Sequence, residues 1–158
     1  MKKLLSMLMV TSTMFITLAS CASDKLFVGE IKPSKLLTTF GEFNEEFTDF
    51  EIDAKEIAAL KSINEPLEIH VLFGTWCHDS VREVPRLLKL LEHAQNSNLS
   101  TKLIAVDYKK TASEKYDLKY TPTFVVFSEN KEIGRIVERP KQTLVKDIIA
   151  IVESQVTH

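Results

Sequence analysis

Val71-Leu72-Phe73-Gly74-Thr75-Trp76-Cys77-His78-Asp79-Ser80 decides how the rest of the chain is read. Apolar residues run as a strand into Gly74. Just past Ser80, Val81, Val84, Leu87, Leu88 and Leu91 recur at helical spacing on one face. Cys77 therefore stands where a loop turns into a helix. A helix start carries unpaired N–H groups and the positive end of the dipole, both of which favour negative charge, so a thiol there is a candidate nucleophile. Pro85 falls inside the helical stretch, removes a backbone donor and predicts a kink.

Working outward, Leu67, Ile69, Val71 and Phe73 alternate onto one face of the strand that feeds Gly74. Upstream, Asp53 and Glu56 form a capping-box pattern ahead of Ile57, Leu60 and Ile63 at helical spacing, and Asn64-Glu65-Pro66 ends that helix. Phe43, Phe47 and Phe50 precede it and are expected to pack beneath it. Downstream, residues 97–100 read as a loop and 102–107 as a second buried strand. Thr111 with Glu114 opens a short helix through Leu118. Residues 123–127 and 132–137 read as a hairpin about a turn, and Leu144, Val145, Ile148, Ile149 and Val152 mark a last amphipathic helix. Strand–helix–strand passages require a right-handed crossover and a parallel pair, and the hairpin adds antiparallel strands. The fold class expected is α/β, a central mixed β-sheet flanked by helices on both faces.

The bulk properties narrow the function classes. The 158 residues are 44% hydrophobic and 27% charged, with a formal net charge of −2, enough apolar content for one core. No basic stripe exists to neutralise phosphates, which argues against nucleic acid as a partner. The N-terminus has a different character. Lys2 and Lys3 precede a mostly apolar run over residues 4–18, shorter than the ~20 residues a membrane span needs. The run ends in Leu18-Ala19-Ser20-Cys21, which resembles the lipobox of bacterial lipoproteins. That resemblance implies a signal peptide over 1–20, a lipid on the Cys21 sulfur and a membrane anchor for the mature chain. It also implies a place in the cell envelope facing the periplasm, with the outer membrane favoured because residue 22 is Ala and not Asp. The alternative is an ordinary cleaved signal with Cys21 left free. Residues 21–42, with few organised apolar positions, are expected to be a tether and lead-in containing a short strand near 26–31.

Several motifs in order resemble the thioredoxin-like superfamily. Trp76-Cys77-His78-Asp79-Ser80 is similar to that family's Trp-Cys-x-x-Cys site with Ser80 in place of the second cysteine. Pro85 lies where thioredoxins carry a helix-kinking proline. Thr121-Pro122-Thr123-Phe124 is similar to the family's cis-proline loop, and residues 132–137 to the hairpin that follows it. The likeness covers about residues 43–152, within a domain expected over 43–158. It implies that Pro122 is cis, that the Thr121 backbone faces Cys77 and receives an extended substrate, and that Trp76 shapes the apolar rim. Two departures touch one chemical step. Ser80 replaces the resolving thiol, and Val71 stands where classical thioredoxins place a buried Asp that helps deprotonate it. A serine hydroxyl cannot attack a mixed disulfide, so release within the site is lost.

The chemistry expected is thus attack by Cys77 on a disulfide, with no cofactor. Its partners would be cysteine-containing extracytoplasmic proteins or low-molecular-weight thiols. Ser80 is expected to hydrogen-bond the sulfur or serve the helix start, and His78 to add positive charge when protonated, against the pull of Asp79. Isomerisation, deglutathionylation or thiol capture suits such a site better than stoichiometric dithiol reduction. Two rival readings stand beside this one: a non-catalytic module that holds a peptide in the cis-proline groove, and a dithiol enzyme that takes its second thiol from Cys21. No metal site is expected, because Cys77, His78 and Asp79 are consecutive and point apart, and nothing completes a four-ligand set. Packing and solvent account for His70 and His93.

Overall fold

A computed structural model describes residues 26–156. The expected signal segment, Cys21 and His158 lie outside the described residues. In chain order these residues form β1 (Gly29–Ile31), α1 (Pro33–Thr39), α2 (Gly41–Asp49), α3 (Ala54–Lys61), β2 (Leu67–Phe73), α4 (His78–Ala94) and β3 (Leu99–Ala105). A 3₁₀ helix (Thr111–Tyr116), β4 (Thr123–Ser128), β5 (Lys131–Val137) and α5 (Leu144–Val156) follow.

One five-stranded sheet has the order β1-β3-β2-β4-β5. β2 and β3 are parallel, joined through α4, and β4 and β5 are the antiparallel hairpin, with a bulge at Val126/Phe127. β1 lies antiparallel on β3, and β4 antiparallel on β2. The mixed α/β sheet inferred from the sequence is the one that forms.

Period-2 alternation decides where the core sits. Leu67, Ile69, Val71 and Phe73 are buried together with Leu36 of α1, Phe43 of α2, Leu60 of α3, Leu87 and Leu90 of α4, and Val145 and Ile148 of α5. Leu72 points the other way, into a smaller cluster with Ile104, Tyr116 and Val125, flanked by Leu118 and Phe127. Cover is therefore unequal. The α-helices bury their side chains in the large cluster, whereas the 3₁₀ helix supplies Tyr116 to the other face. Residues 108–120 are rich in Lys and offer few apolar side chains, too few for an amphipathic helix to cover the sheet.

The tether expected over 21–42 is corrected in part. β1 lies within it and pairs with β3, as the short strand anticipated, but α1 lies there too and buries Leu36 completely. Pro33 starts that helix at a position where its missing N–H costs nothing. Phe43 and Phe47 belong to α2, and the Phe43 ring meets Phe73 edge-on at 5.8 Å. In α3 the capping box forms only half-way. Asp53 Oδ1 accepts from the Lys55 N–H at 2.8 Å, while Glu56 Oε1 is buried without a hydrogen-bond partner. β3 starts at Leu99, ahead of the expected residue 102. The short helix expected from Thr111 through Leu118 is the 3₁₀ helix, which ends at Tyr116 and is entered through Lys110 at φ 58°. α4 runs unbroken through the buried Pro85.

Gly134 of β5 shows how closely α5 lies on the sheet. A Cβ there would fall 2.7 Å from Ile151 Cγ2. Gly134→Ala is expected to cost about 1–3 kcal/mol, the range for overpacking, read as a lower urea midpoint at constant slope. In an Ile151→Ala background the same change should cost much less, and simple additivity of the two substitutions would refute the contact.

Candidate functional site

The site is built at the end of β2. Pairing continues one residue past the strands, where the Val106 N–H donates to the Phe73 carbonyl at 2.8 Å. The chain then turns at Gly74, whose carbonyl accepts from the Cys77 N–H at 3.0 Å. A glycine is required here, since a Cβ would lie 2.6 Å from Trp76 Cε2. The Trp76 indole lies across the turn and its Nε1–H donates to the Val106 carbonyl at 3.2 Å. Tyr108 stacks on it, with ring centroids 4.5 Å apart.

Cys77 is the N-cap of α4, with extended backbone (φ −95°, ψ 119°) and no side-chain capping bond. Its thiol is turned outward from the helix and donates to the Thr121 carbonyl at 3.1 Å. The Thr121–Pro122 peptide is cis. Both flanks of that loop are pinned: Thr123 Oγ1 donates to the Tyr120 carbonyl at 2.8 Å, and the Glu138 N–H to the Pro122 carbonyl at 2.7 Å. Ser80 is fully buried, and its Oγ accepts from the Gly74 N–H at 3.2 Å. That contact ties the hydroxyl oxygen to the turn just ahead of the helix. His78 is exposed on the first turn of α4. Cys77, Trp76, Ser80, Thr121 and Pro122 are thus gathered at one end of the sheet. Among the described residues, no three His, Cys, Asp or Glu side chains converge as a metal site, and Cys77 is a free thiol.

Sequence reasoning missed a charged network beside the nucleophile. Asp79 Oδ1 receives Arg139 Nη2 at 2.8 Å and Arg82 Nη2 at 3.1 Å, and Arg82 Nε reaches the buried Glu83 at 2.7 Å. Arg139 follows β5 and is 60 residues from Asp79, so no local spacing could have announced the pair. Burial alone would raise the Asp79 carboxyl, but the hydrogen bonds and charges of Arg139 and Arg82 outweigh it and hold the group below its usual value. A carboxyl lowered in the folded state contributes stability above its unfolded pKa, and that contribution disappears as pH falls through the folded value. The stability gap between the wild type and Asp79→Asn should therefore be constant above about pH 5, of order 0.2–1 kcal/mol, and shrink below about pH 4. Urea unfolding of both proteins from pH 3 to 7 measures it, and a gap independent of pH would refute the ion-paired state.

The comparisons with known proteins agree with this geometry. Residues 38–151 match the family model described as Thioredoxin. The chain is 28% identical to Thioredoxin H9 of Arabidopsis thaliana over 119 residues, 75% of this chain and 76% of that one. It is 27% identical to Thioredoxin AMT13 of Alternaria alternata over 106 residues, 67% of this chain and 88% of the relative. A Pseudomonas aeruginosa protein of unknown function shares the fold at a TM-score of 0.60 and 16% identity, over 79% of this chain and 99% of that one. By the match of residues 38–151 to that family model, this chain belongs to the thioredoxin family.

Proposed function

We propose that the protein carries out thiol–disulfide exchange through Cys77 as a single nucleophile, forming a mixed disulfide that an outside thiol resolves. The observation that carries this reading is the Cys77 thiol at the N-cap of α4, aimed across the site at the Thr121 carbonyl 3.1 Å away. The Cys77 thiolate attacks one sulfur of a substrate disulfide. A new S–S bond forms, the old one breaks, and the departing thiolate takes a proton from water. Release needs a second thiol, either another cysteine of the substrate or a low-molecular-weight thiol, because the Ser80 hydroxyl cannot displace sulfur and is held by Gly74.

Val71 supports the same reading, since a fully buried aliphatic side chain in the core occupies the place of an acid–base group for self-release. Isomerisation, deglutathionylation and thiol capture each use only the attack step. The N-terminal sequence supports an envelope location, with a lipid on Cys21 as anchor and the domain facing the periplasm. Acyl chains contribute ~0.8 kcal/mol per buried methylene to such an anchor. Among the described residues no helix is long and apolar enough to cross a membrane.

One experiment tests chemistry and anchoring together. The full chain, purified from its native host's membranes and reduced, is mixed with a cysteine-peptide disulfide and its intact mass recorded. The expected result is one peptide adduct, absent from Cys77→Ala, on a chain beginning at a lipid-bearing Cys21. A chain that takes up no peptide covalently yet binds it equally well as Cys77→Ala would replace this reading with a non-catalytic peptide module. An unlipidated Cys21 disulfide-bonded to Cys77 would replace it with a dithiol enzyme.

A further inference from the structure

Large apolar side chains are exposed at five places among the described residues: Leu26, Val28, Tyr108, Tyr120 and Val137. The strand registers put all five at one end of the sheet. Gly29 pairs with Ala105 and Ile31 with Leu103, so β1 begins, just after Leu26 and Val28, where β2 and β3 finish. Leu72 pairs with Thr123 and Thr123 with Val137, which brings the end of β5 to the same place. Cys77 leaves the sheet at that end. An exposed apolar set confined to the surroundings of a nucleophile marks a binding surface rather than scattered surface residues.

The two tyrosines are closest to the chemistry. Tyr108 is 62% exposed and lies flat on Trp76, the neighbour of Cys77. Tyr120 is 56% exposed and immediately precedes Thr121, whose carbonyl takes the Cys77 thiol. One exposed aromatic is therefore stacked on the Trp76 side of the site, and a second adjoins Thr121 in the chain. The nearby cations have a different role. Arg82 is engaged by Asp79 and Glu83, and Arg139 by Asp79, so two guanidiniums face two carboxylates and the network is balanced. Those two guanidiniums are thus already engaged, and a small acidic ligand such as glutathione brings no bulky apolar group to the exposed aromatics.

Resting on the reading of Cys77 as a nucleophile, we propose that the site selects extended polypeptide disulfides carrying a bulky apolar residue, aromatic above all, beside the reactive cysteine. Tyr108 and Tyr120 are its specificity-determining residues. The covalent step is unchanged: the Cys77–substrate S–S bond forms as the substrate's own disulfide breaks, and its second sulfur leaves as a thiol.

The test compares two symmetrical peptide disulfides of equal length, one with Phe on both sides of its cysteine and one with Ser, and oxidised glutathione. Adduct formation on Cys77 is followed by acid quench and intact mass. Each rate is normalised to that with methyl methanethiosulfonate, which probes the thiol alone. The wild type should react about fivefold faster with the Phe peptide than with the Ser peptide, the scale of one aromatic contact, and slowest with glutathione. Tyr108→Ala and Tyr120→Ala should each bring the Phe-to-Ser ratio toward one, and Tyr108→Phe should keep it. Equal rates in the wild type, or a preference that survives in the Tyr108→Ala/Tyr120→Ala double variant, would overturn the inference and leave the single-nucleophile chemistry standing. A Cys77 inert to the thiosulfonate would overturn both.

Discussion

The antiparallel pairing of β2 with β4 is the constraint on which the site depends. Leu72 opposite Thr123 fixes where both strands stop, so the loop that leaves β2 and the loop that enters β4 meet at one end of the sheet. Residues 44 positions apart in sequence then lie in contact, Cys77 against Thr121. A slip of one residue would send Val71 and Phe73 out of the core and turn the Thr121 carbonyl away from the sulfur. Burial of Ile69, Val71, Phe73, Phe124 and Val126 in one cluster opposes that slip, so the core that stabilises the fold also sets the geometry of the site.

Around that contact the chain fixes its loops with backbone groups and side-chain hydroxyls together. The Gly74 turn is closed by its own carbonyl and by the hydroxyl of Ser80, and the Thr121–Pro122 loop is held through Tyr120 and Glu138. The position that carries a second cysteine in a dithiol motif is thus a buried structural brace. Buried polar groups of this kind cost about 1–3 kcal/mol when left without a partner, which gives Ser80 a reason to be there independent of redox chemistry. In the single-nucleophile chemistry proposed above, attack and release are separate steps: Cys77 lies against Thr121, while Ser80 braces the turn and Val71 packs in the core.

Much of this was legible in the sequence because it is periodic or local. Alternation along 67–73, the helical stripe from Val81 to Leu91 and the Thr121-Pro122 dipeptide each announce their own structure within a few residues. What escaped has no local signal. α1 shows two adjacent leucines, Leu36 and Leu37, too short a pattern to declare a helix, and its burial is decided by a β1–β3 pairing some 75 residues away in sequence. The Asp79–Arg139 pair and the Trp76–Tyr108 stack exist only once the sheet has assembled. Thr111 and Glu114 spelled a capped helix, but with little apolar surface to bury, the segment settled as a 3₁₀ turn around Tyr116. At Asp53 the cap forms and its reciprocal half does not, since Glu56 Oε1 has no hydrogen-bond partner.

The lifetime of the mixed disulfide decides most directly whether Cys77 attacks without self-release. A peptide is coupled to Cys77 in the wild type and in Ser80→Cys, excess reagents are removed, and free peptide is measured over time with no thiol added. The wild-type adduct should persist until an external thiol is supplied, while Ser80→Cys should expel the peptide and close its own disulfide. Spontaneous loss of peptide from the wild type as fast as from Ser80→Cys would contradict attack without self-release.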